Sequence, residues 1–357
     1  MKNRGSGLNM RKSLFALLSI LLVFSVVLAG CSEEKTEESK AKSQLDAIKK
    51  RGKLVGGVNA DIPGFGYVAS DGSYTGMDID ITRAIAAAIF GDPDAVEFRP
   101  LSAEERFIAV QTGEVDVLAR NTTHTTSRDA SVGLAFAPVT FYDGQGMMVR
   151  EDSGIKTLKD LQGTRIAVES GTTTELNLAD QMRKLGVTYE PVVFDNQDAA
   201  ISAYEQGSVD AFTTDRSGLV SRRSTLANPE EHFILSDVLS KEPLAPSVKD
   251  GDSKWVGVVS WTVYALIQAE EYGITQGNVD TFMDSEDPEI RRFLGVEGDL
   301  GEQLGLPKDF VVQIIKAVGN YGELYDRHLG PDTVFNLERG PNELWTNGGL
   351  MYSPPFR

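Results

Sequence analysis

The sequence predicts an α/β protein with two lobes, and three observations lead to this fold class. The chain has 357 residues, of which 41% are hydrophobic, and this is more than one small core usually needs. Short apolar segments with strand character alternate with longer helical segments, as in α/β folds. The alternation starts again near Arg165, which indicates a second unit built on a similar plan.

The first unit opens with an apolar strand, and Asp71-Gly72 predicts a tight turn before the first long helix. Gly113 is expected to stop the second helix. The predicted elements are strands at 54–58, 96–100 and 115–118, and helices at 83–89 and 103–111.

The second unit repeats this order, with Gly186 and Gly207 ending its two helices. Its predicted elements are strands at 165–168, 192–194 and 209–212, and helices at 173–185 and 199–206. The pattern after Trp255 is mainly helical, at 256–271, 288–294 and 309–319. If this helical tail packs back on the first lobe, the chain crosses between the lobes twice, near 141–148 and near 241–244.

The N-terminus has the layout of an export signal, with basic residues at 1–12 and an apolar run at 13–28. The run ends in Leu28-Ala29-Gly30-Cys31, which resembles the lipobox of bacterial lipoproteins, where the cysteine is lipidated. This predicts a signal peptide at 1–30 and, at 31–44, the lipidated Cys31 with a charged, flexible tether. The alternative is a transmembrane anchor in which Cys31 is incidental, although the run is shorter than the roughly 20 residues that a span needs.

The composition excludes several classes of function. A net charge of −17 argues against a nucleic-acid partner, because phosphate binding needs clustered basic residues. A single cysteine permits neither an intramolecular disulfide nor a cysteine-based metal cluster. We expect structural or surface roles for His124, His232 and His328, which lack metal-ligand spacing. Phosphate-loop and dinucleotide patterns are absent from the sequence, so no cofactor is predicted.

Open α/β sheets bind ligands beyond the carboxyl ends of their strands, and three such places carry polar residues. Segment 119–129 combines hydroxyls, an amide and two guanidinium groups, and a guanidinium can hold a carboxylate in a bidentate fork. Segment 169–175 opens a helix whose free N–H groups favour an anion. Asp215 follows the strand at 209–212 and can accept an ammonium group. Together the three places fit a zwitterion.

Each of these features also has a structural interpretation. A threonine-rich helix start is most often an N-cap, and an arginine after a strand is most often part of a surface ion pair. Asp215 can likewise form a solvated local pair with Arg216. The combination of the three places, rather than any one of them, supports a binding site.

A family resemblance runs through the body of the chain. The segments that carry it are 63–65, 76–80, 120–123, 169–180, 214–217, 261–267, 316–323 and 344–352. From residue 45 to Arg357 the chain resembles the type 2 periplasmic binding proteins, specifically the general L-amino-acid-binding proteins of ABC transporters. The resemblance implies a ligand cleft between two lobes, the first at 45–142 and 245–357 and the second at 143–244.

The resemblance also implies which residues hold the ligand. Arg128 would hold the ligand carboxylate, helped by Thr123, Asn121 and the Thr172-Thr173 turn, and Asp215 would take the α-ammonium group. These contacts are common to all amino acids.

Side-chain choice would fall to a wall formed by Asn59 and Ile62, with Arg120 nearby. An aliphatic residue at Ile62 makes this wall less selective than the aromatic residue of many relatives. A broad range of L-amino acids follows from the subfamily. His124 stands where close relatives often have tryptophan and is assigned no role.

The function implied by the resemblance is binding without chemistry. The two lobes close around an L-amino acid, and the permease subunits of an ABC transporter take it from the closed form. We expect a monomer, held at the outer face of the cell membrane by its lipid anchor. Two alternatives stay open: a lyase or hydrolase on the same fold, for which Glu169 and Glu175 are the nearby acid or base candidates, and a sensor that docks on a receptor.

Overall fold

Two five-stranded sheets organise residues 43–357, the part of the chain that the computed structural model describes. The strands are β1 (Leu54–Val58), β2 (Asp61–Ile62), β3 (Gly66–Val68), β4 (Tyr74–Thr75), β5 (Val96–Pro100), β6 (Val117–Ala119), β7 (Leu134–Phe136), β8 (Phe141–Asp143), β9 (Met148–Arg150), β10 (Arg165–Glu169), β11 (Glu190–Phe194), β12 (Ala211–Phe212), β13 (His232–Ile234), β14 (Glu242–Leu244) and β15 (Ser247–Lys249).

The α-helices connect and cover these strands. They are α1 (Gln44–Arg51), α2 (Met77–Phe90), α3 (Arg106–Thr112), α4 (Thr126–Ala130), α5 (Thr173–Leu185), α6 (Gln197–Glu205), α7 (Arg216–Arg223), α8 (Ser253–Glu271), α9 (Val279–Phe282), α10 (Pro288–Phe293), α11 (Leu300–Leu304), α12 (Phe310–Val318) and α13 (Tyr321–His328).

The first sheet has the strand order β5-β1-β6-β15-β7 and organises the first lobe. β1 lies between β5 and β6, pairs with both in parallel, and is buried along its whole length. α2 packs on β1 and buries nearly all of its alanine and isoleucine side chains. Gly56 permits this close approach, because a Cβ at that position would lie 2.5 Å from Cγ2 of Thr82. α8, α12 and α13 add their apolar residues to the same core.

The second sheet has the order β11-β10-β12-β9-β13 and organises the second lobe. β10 pairs in parallel with β11 and β12, whereas β9 runs antiparallel to its neighbours. One apolar cluster, which includes Leu178 and Met182, covers one part of this sheet, and a second cluster with Tyr204 and Phe212 covers another. The second lobe therefore has its own core.

Two crossings join the lobes, as the sequence predicts. The crossing strands β8 and β14 pair with each other in antiparallel register, with Glu242 opposite Asp143. The C-terminal region braces this ribbon, because Asn342 Oδ1 accepts from the N–H of Tyr142 at 2.7 Å and Asn342 Nδ2 donates to its carbonyl at 3.2 Å. Tyr321 adds a hydrogen bond from its hydroxyl to the carbonyl of Thr140, at 2.8 Å.

Most predicted elements are present, some with shifted ends. The strands at 54–58 and 96–100 and the helix at 173–185 have the predicted bounds. The helix predicted at 103–111 begins only at Arg106, because Ser102 and Glu105 form a side-chain turn before it, with the Ser102 hydroxyl donating to Glu105 at 2.9 Å. The predicted strand at 209–212 is reduced to its last two residues.

The last two residues of the segment predicted as a tether, 31–44, belong to α1 and its cap. Ser43 is the N-cap of α1, where its hydroxyl accepts from the N–H of Asp46, and Gln44 is the first helical residue. Gln44 is held in addition by a 2.6 Å hydrogen bond to Asp116. The signal peptide and Cys31 lie outside the described residues. Within 43–357, no helix has both the length and the apolar character that a membrane span requires.

Candidate functional site

A narrow cavity lies between the two lobes, beside the crossing strands. Its volume is about 30 Å³, well below the roughly 300 Å³ or more of a typical ligand pocket. A larger ligand can therefore enter only when the lobes or the lining side chains move apart. The lining residues are Asn59, Ile62, Arg106, Arg120, Asn121, Thr123, Glu169, Thr172, Thr173, Thr174, Gln197, Thr214, Asp215, Ser217 and Gly218.

Arg128 lies behind Thr123 on the first-lobe side of this cavity. It is on the short helix α4, which Thr125 caps by accepting from the Arg128 N–H. The guanidinium is buried, donates from Nη1 to the Thr123 carbonyl at 2.8 Å, and lies 5.0 Å over the ring of Phe107. Burial lowers the pKa of Arg128 to about 10, so the group is charged at neutral pH. Arg128 therefore does not form the solvent-exposed ion pair that is the usual role of an arginine after a strand.

Asp215 supplies a half-buried carboxylate from the start of α7 in the second lobe. Its Oδ1 is shielded from solvent and has no hydrogen-bond partner among residues 43–357. Burial raises the pKa of Asp215 well above its usual range, and the neighbouring carboxylates of Asp143 and Glu242 raise it further. Arg106 and Arg128 act against these effects. Such a carboxylate is a favourable position for a cationic group.

The local pair between Asp215 and Arg216 is not formed. The Arg216 side chain turns away and donates from Nη1 to the carbonyl of Leu235 at 2.7 Å. The carboxylate of Asp215 therefore stays available to the cavity.

Two further guanidinium groups line the cavity. Arg120 donates from Nε to the Leu101 carbonyl at 2.7 Å, and its Nη2 lies 3.6 Å from Oε1 of Glu169 in the other lobe. Arg106 is buried, yet its Nε has no partner within the described residues, and its Nη2 makes only a 3.4 Å bond to the Gly171 carbonyl. Burial lowers the pKa of Arg106 well below its usual range, and the charge of Arg120 adds to this effect.

The wall opposite the second lobe is formed by Asn59, Ile62 and Asn121. Asn59 Nδ2 donates to Oδ1 of Asn121 at 2.9 Å, and the Asn121 N–H donates to Asp78 Oδ2 at 2.9 Å. Burial raises the pKa of Asp78 to about 6, against the effect of that N–H and of Arg120. Asn121 has a positive φ of 42°, a conformation that asparagine tolerates better than most residues. The wall therefore combines two linked amides with one aliphatic side chain.

Three threonine residues at the cavity have two different roles: Thr172 caps a helix, and Thr123 and Thr173 bind the same carboxylate. Thr172 is the N-cap of α5, with its hydroxyl accepting from the Glu175 N–H at 3.1 Å, so the structural interpretation holds for this residue. Thr123 and Thr173 point their hydroxyls at one carboxylate oxygen, Oε2 of Glu242, at 2.6 and 2.8 Å. Both residues also line the cavity.

His124 belongs to a different surface, a wider groove of about 1200 Å³ along the crossing strands. Its N–H donates to the Pro243 carbonyl at 2.8 Å, and its ring stacks on Phe136 with centroids 4.3 Å apart. His232 contacts the hydroxyl of Tyr204, and His328 contacts the carboxylate of Asp80. Residues 43–357 contain no group of three or more His, Cys, Asp or Glu side chains arranged to hold a metal ion.

Eight of the nine predicted site residues line the cavity, and Arg128 lies directly behind it. Sequence reasoning missed Arg106, Gln197 and Glu242. Arg106 and Gln197 begin the helices that follow β5 and β11, so the rule about strand ends, applied to every strand, would have found both. Glu242 lies on a crossing strand, where that rule gives no signal.

Comparisons with known proteins identify the family of the chain. A family model for bacterial extracellular solute-binding proteins, family 3, matches residues 54–276. The general L-amino acid-binding periplasmic protein of Rhizobium johnstonii is 48% identical over 343 residues, which is 96% of this chain and 99% of the relative. The glutamate/glutamine/aspartate/asparagine-binding protein of Rhodobacter capsulatus is 47% identical over 88% of this chain and 94% of the relative.

A solved structure of a periplasmic binding protein is similar to this chain in fold as well as in sequence. An ABC transporter/periplasmic binding protein from Brucella ovis with glutathione bound is 50% identical, has a TM-score of 0.86, and covers 88% of this chain and 99% of its own. The predicted two-lobed type 2 fold is confirmed. The expectation of an extracytoplasmic binding protein and not an enzyme is confirmed as well, since these relatives are solute-binding proteins. The chain belongs to family 3 of the bacterial extracellular solute-binding proteins.

Proposed function

We propose that this protein binds L-amino acids of a broad range between its lobes and delivers them to the permease of an ABC transporter. The observation that carries the proposal is a pair of opposite charges, the buried guanidinium of Arg128 on the first lobe and, on the second, the carboxylate of Asp215, whose Oδ1 is shielded from solvent. Arg128 would bind the α-carboxylate and Asp215 the α-ammonium group. Every free α-amino acid has both groups, so this pair alone does not select among side chains.

The names of the relatives support the same class of ligand. One relative is described as binding L-amino acids in general, and another as binding glutamate, glutamine, aspartate and asparagine. The structural neighbour with glutathione bound is compatible with this class, because the γ-glutamyl end of glutathione also carries a free α-carboxylate and α-ammonium group.

We propose Asn59, Ile62 and Arg120 as the wall that faces the ligand side chain, and Asn121, Thr123, Thr172 and Thr173 as neighbours of the ligand's α-carboxylate and α-ammonium groups.

We also propose that two bodies close around the ligand. The first body is 45–142 with 245–357, and the second is 143–244. Support comes from the sheets and from the paired crossing strands between them. Closure would exclude water from the two ion pairs and so strengthen them.

We propose in addition that the chain is a monomer anchored to the membrane through a lipid on Cys31. The support is the sequence Leu28-Ala29-Gly30-Cys31 after an apolar run. Fatty acid supplied to the cells should label the protein, and replacing Cys31 with serine should abolish the label. An unlabelled protein that still lies in the membrane fraction would favour an uncleaved apolar anchor.

The proposal is tested by thermal shift on the purified chain in mild detergent, stripped of ligand by unfolding and refolding. The ligands are the twenty L-amino acids, glutathione, a sugar, a dicarboxylic acid without an amine, and a polyamine. A ligand at about one hundred times its dissociation constant adds about 2.7 kcal/mol to the free energy of unfolding.

We expect stabilisation by many L-amino acids and by neither the sugar nor the polyamine. Stabilisation by the amine-free diacid alone would show that the ammonium assignment of Asp215 is wrong. If no amino acid stabilises the protein while another class does, the proposed function is wrong.

A further inference from the structure

Glu242 is a buried carboxylate at the junction of the two lobes. It begins the crossing strand β14 and is 1% exposed. Its hydrogen-bond donors are neutral side chains: Thr123, Thr173, Asn177 and Ser240. Thr123 belongs to the first lobe, whereas Thr173 and Asn177 belong to α5 of the second. One carboxylate therefore organises side chains from both lobes.

The two carboxylate oxygens serve different partners. Oε1 accepts from Asn177 Nδ2 at 2.7 Å and from the Ser240 hydroxyl. Oε2 accepts from the hydroxyls of Thr123 and Thr173, at 2.6 and 2.8 Å. A buried carboxylate needs such bonds, since it is otherwise costly to remove from water.

The direction of these bonds fixes the polarity of the cavity wall. A threonine hydroxyl has one hydrogen and two lone pairs, and an ionised carboxylate can only accept. The two hydroxyl oxygens also lie 3.3 Å from each other, but each is closer to Oε2 of Glu242. With both hydrogens directed at Glu242, the hydroxyls have only lone pairs left for the cavity. An oxygen in this state can accept from an ammonium group but cannot donate to a carboxylate.

We propose that Glu242 is a positioning residue that makes Thr123 and Thr173 acceptors for the ligand ammonium group, alongside Asp215. The ligand carboxylate is then left to Arg128 and to backbone N–H groups, which revises the part that the family resemblance implies for the two threonine hydroxyls. This inference rests on the proposed function, because it concerns how the same site distinguishes an amine.

The test compares two ligands that differ only at the α-position, L-glutamate and L-2-hydroxyglutarate, in which a hydroxyl replaces the ammonium group. Their dissociation constants are measured by displacement calorimetry on the full chain in mild detergent. The readout is the ratio of the two constants. A purely structural loss, such as impaired closure, weakens both ligands by the same factor and leaves the ratio unchanged.

Glu242→Met keeps the side-chain length and removes both acceptor oxygens. The freed threonine hydrogens can then turn to the cavity, so we expect the preference for glutamate over the hydroxy acid to fall about tenfold or more, as for loss of a hydrogen bond to a charged group. Glu242→Gln is the matched control. It keeps one acceptor for the threonines if Asn177 turns its amide, and it should retain most of the preference.

A second pair of variants covers the case in which Glu242→Met does not fold. Thr173→Val removes the acceptor and should lower the ratio, whereas Thr173→Ser keeps it and should not. An unchanged ratio in Glu242→Met, or equal ratios for Thr173→Val and Thr173→Ser, would overturn the inference. If the unmodified protein binds neither ligand nor any other amino acid, the failure belongs to the proposed function instead.

Discussion

Arg128 and Asp215 approach the cavity from different lobes; Arg128 is buried, and Asp215 is half-buried with its Oδ1 shielded from solvent. Removing either charge leaves the opposite charge of a bound amino acid without its partner in a water-excluded site, which costs about 3 to 5 kcal/mol. We expect Arg128→Ala and Asp215→Ala each to weaken binding of every amino acid by about that amount, as measured by calorimetry.

The matched controls are Arg183→Ala and Asp180→Ala, which remove the same charges from an exposed pair on α5. These variants should bind as the unmodified protein does. A loss restricted to one class of side chain in Arg128→Ala or Asp215→Ala would contradict the assignment of these residues to the groups that all amino acids share.

The charge of Arg106 is poorly compensated by its neighbours. Its Nε is buried without a partner in residues 43–357, and Arg120 and Arg128 both lower its pKa. Replacing it with an apolar side chain of similar length should raise the free energy of unfolding of the ligand-free protein by about 1 kcal/mol or more. Arg106→Met should therefore melt higher, by calorimetry without ligand.

The same substitution should weaken ligand binding, because the free N–H of Arg106 is then no longer available in the cavity. Arg106→Lys keeps the charge and serves as the control for electrostatics alone. An Arg106→Met protein that melts at a lower temperature and binds ligand normally would show that the guanidinium stabilises the fold and does not bind the ligand.

The sequence contains the information for the strand-end residues but not for the groups that orient them. Asp215 could be predicted because it follows an apolar strand, and the polar segment after β6 contains Arg128. Glu242 lies between Lys241 and Pro243, where a single sequence is indistinguishable from a solvated charge. Only the pairing of β14 with β8 brings it under the two threonines.

Among the elements, α7 of the second lobe contacts the first lobe directly. The Ser221 hydroxyl donates to the Pro63 carbonyl at 2.7 Å, and Arg222 Nη2 lies 3.1 Å from Asp61 of β2 in the first lobe. Arg222 also pairs within its own lobe, with Nη1 2.6 Å from Asp198. These contacts hold the lobes together, and their loss should favour the open form.

We expect Asp61→Asn to weaken amino-acid binding two- to fivefold, since exposed or half-exposed ion pairs contribute about 0.2 to 1 kcal/mol. The radius of gyration of the ligand-free protein, measured by small-angle scattering, should increase. Asp198→Asn is the control, because it removes a partner of the same Arg222 without crossing between lobes. Equal effects of the two variants would contradict a role of α7 in closure.

Element prediction succeeded where a segment is long enough to show a period. The strands β1 and β5 are continuous apolar or mixed runs, and α5 has a threonine cap and a terminal glycine. The strands β7, β13 and β15 have only three residues each. Their place in a sheet is decided by contacts distant in sequence, such as the pairing of Ser247 with Leu118 and Phe136, and local propensity does not determine such pairings.

At the scale of the whole molecule, the repeated α/β plan and the helical tail were sufficient to predict two lobes and two crossings. The degree of closure could not be predicted, because it depends on side chains that meet only between the lobes, such as Arg120 and Glu169. The C-terminal region beyond the family match, residues 277–357, adds helices to the first core. It also fixes Tyr142 of the crossing ribbon through Asn342.

Three carboxylates lie near the crossing strands, those of Asp143, Asp215 and Glu242. We expect them to make ligand binding depend on pH. Burial raises the pKa of Asp143 to about 6 and raises that of Asp215 well above its usual range. Glu242 raises both pKa values, whereas Arg106 and Arg128 lower that of Asp215. An acid whose pKa is higher in the folded state than in the unfolded state binds protons more tightly when folded. The contribution of Asp143 to the stability of the ligand-free protein is therefore largest below its unfolded pKa of 3.8 and is lost as the pH rises through about 6, and the contribution of Asp215 has the same sign.

A bound ammonium group stabilises the charged carboxylate of Asp215 and so lowers its pKa. Because the pKa of Asp215 is raised in the ligand-free protein, we expect amino-acid affinity to fall as the pH decreases, with protons released on binding. Calorimetry in buffers of different ionisation enthalpy measures the proton release directly. Asp143→Asn should shift the transition to lower pH, since it removes one of the charges that raise the pKa of Asp215. An affinity that stays level from pH 4.5 to pH 8 would mean that the ammonium group does not bind beside these carboxylates.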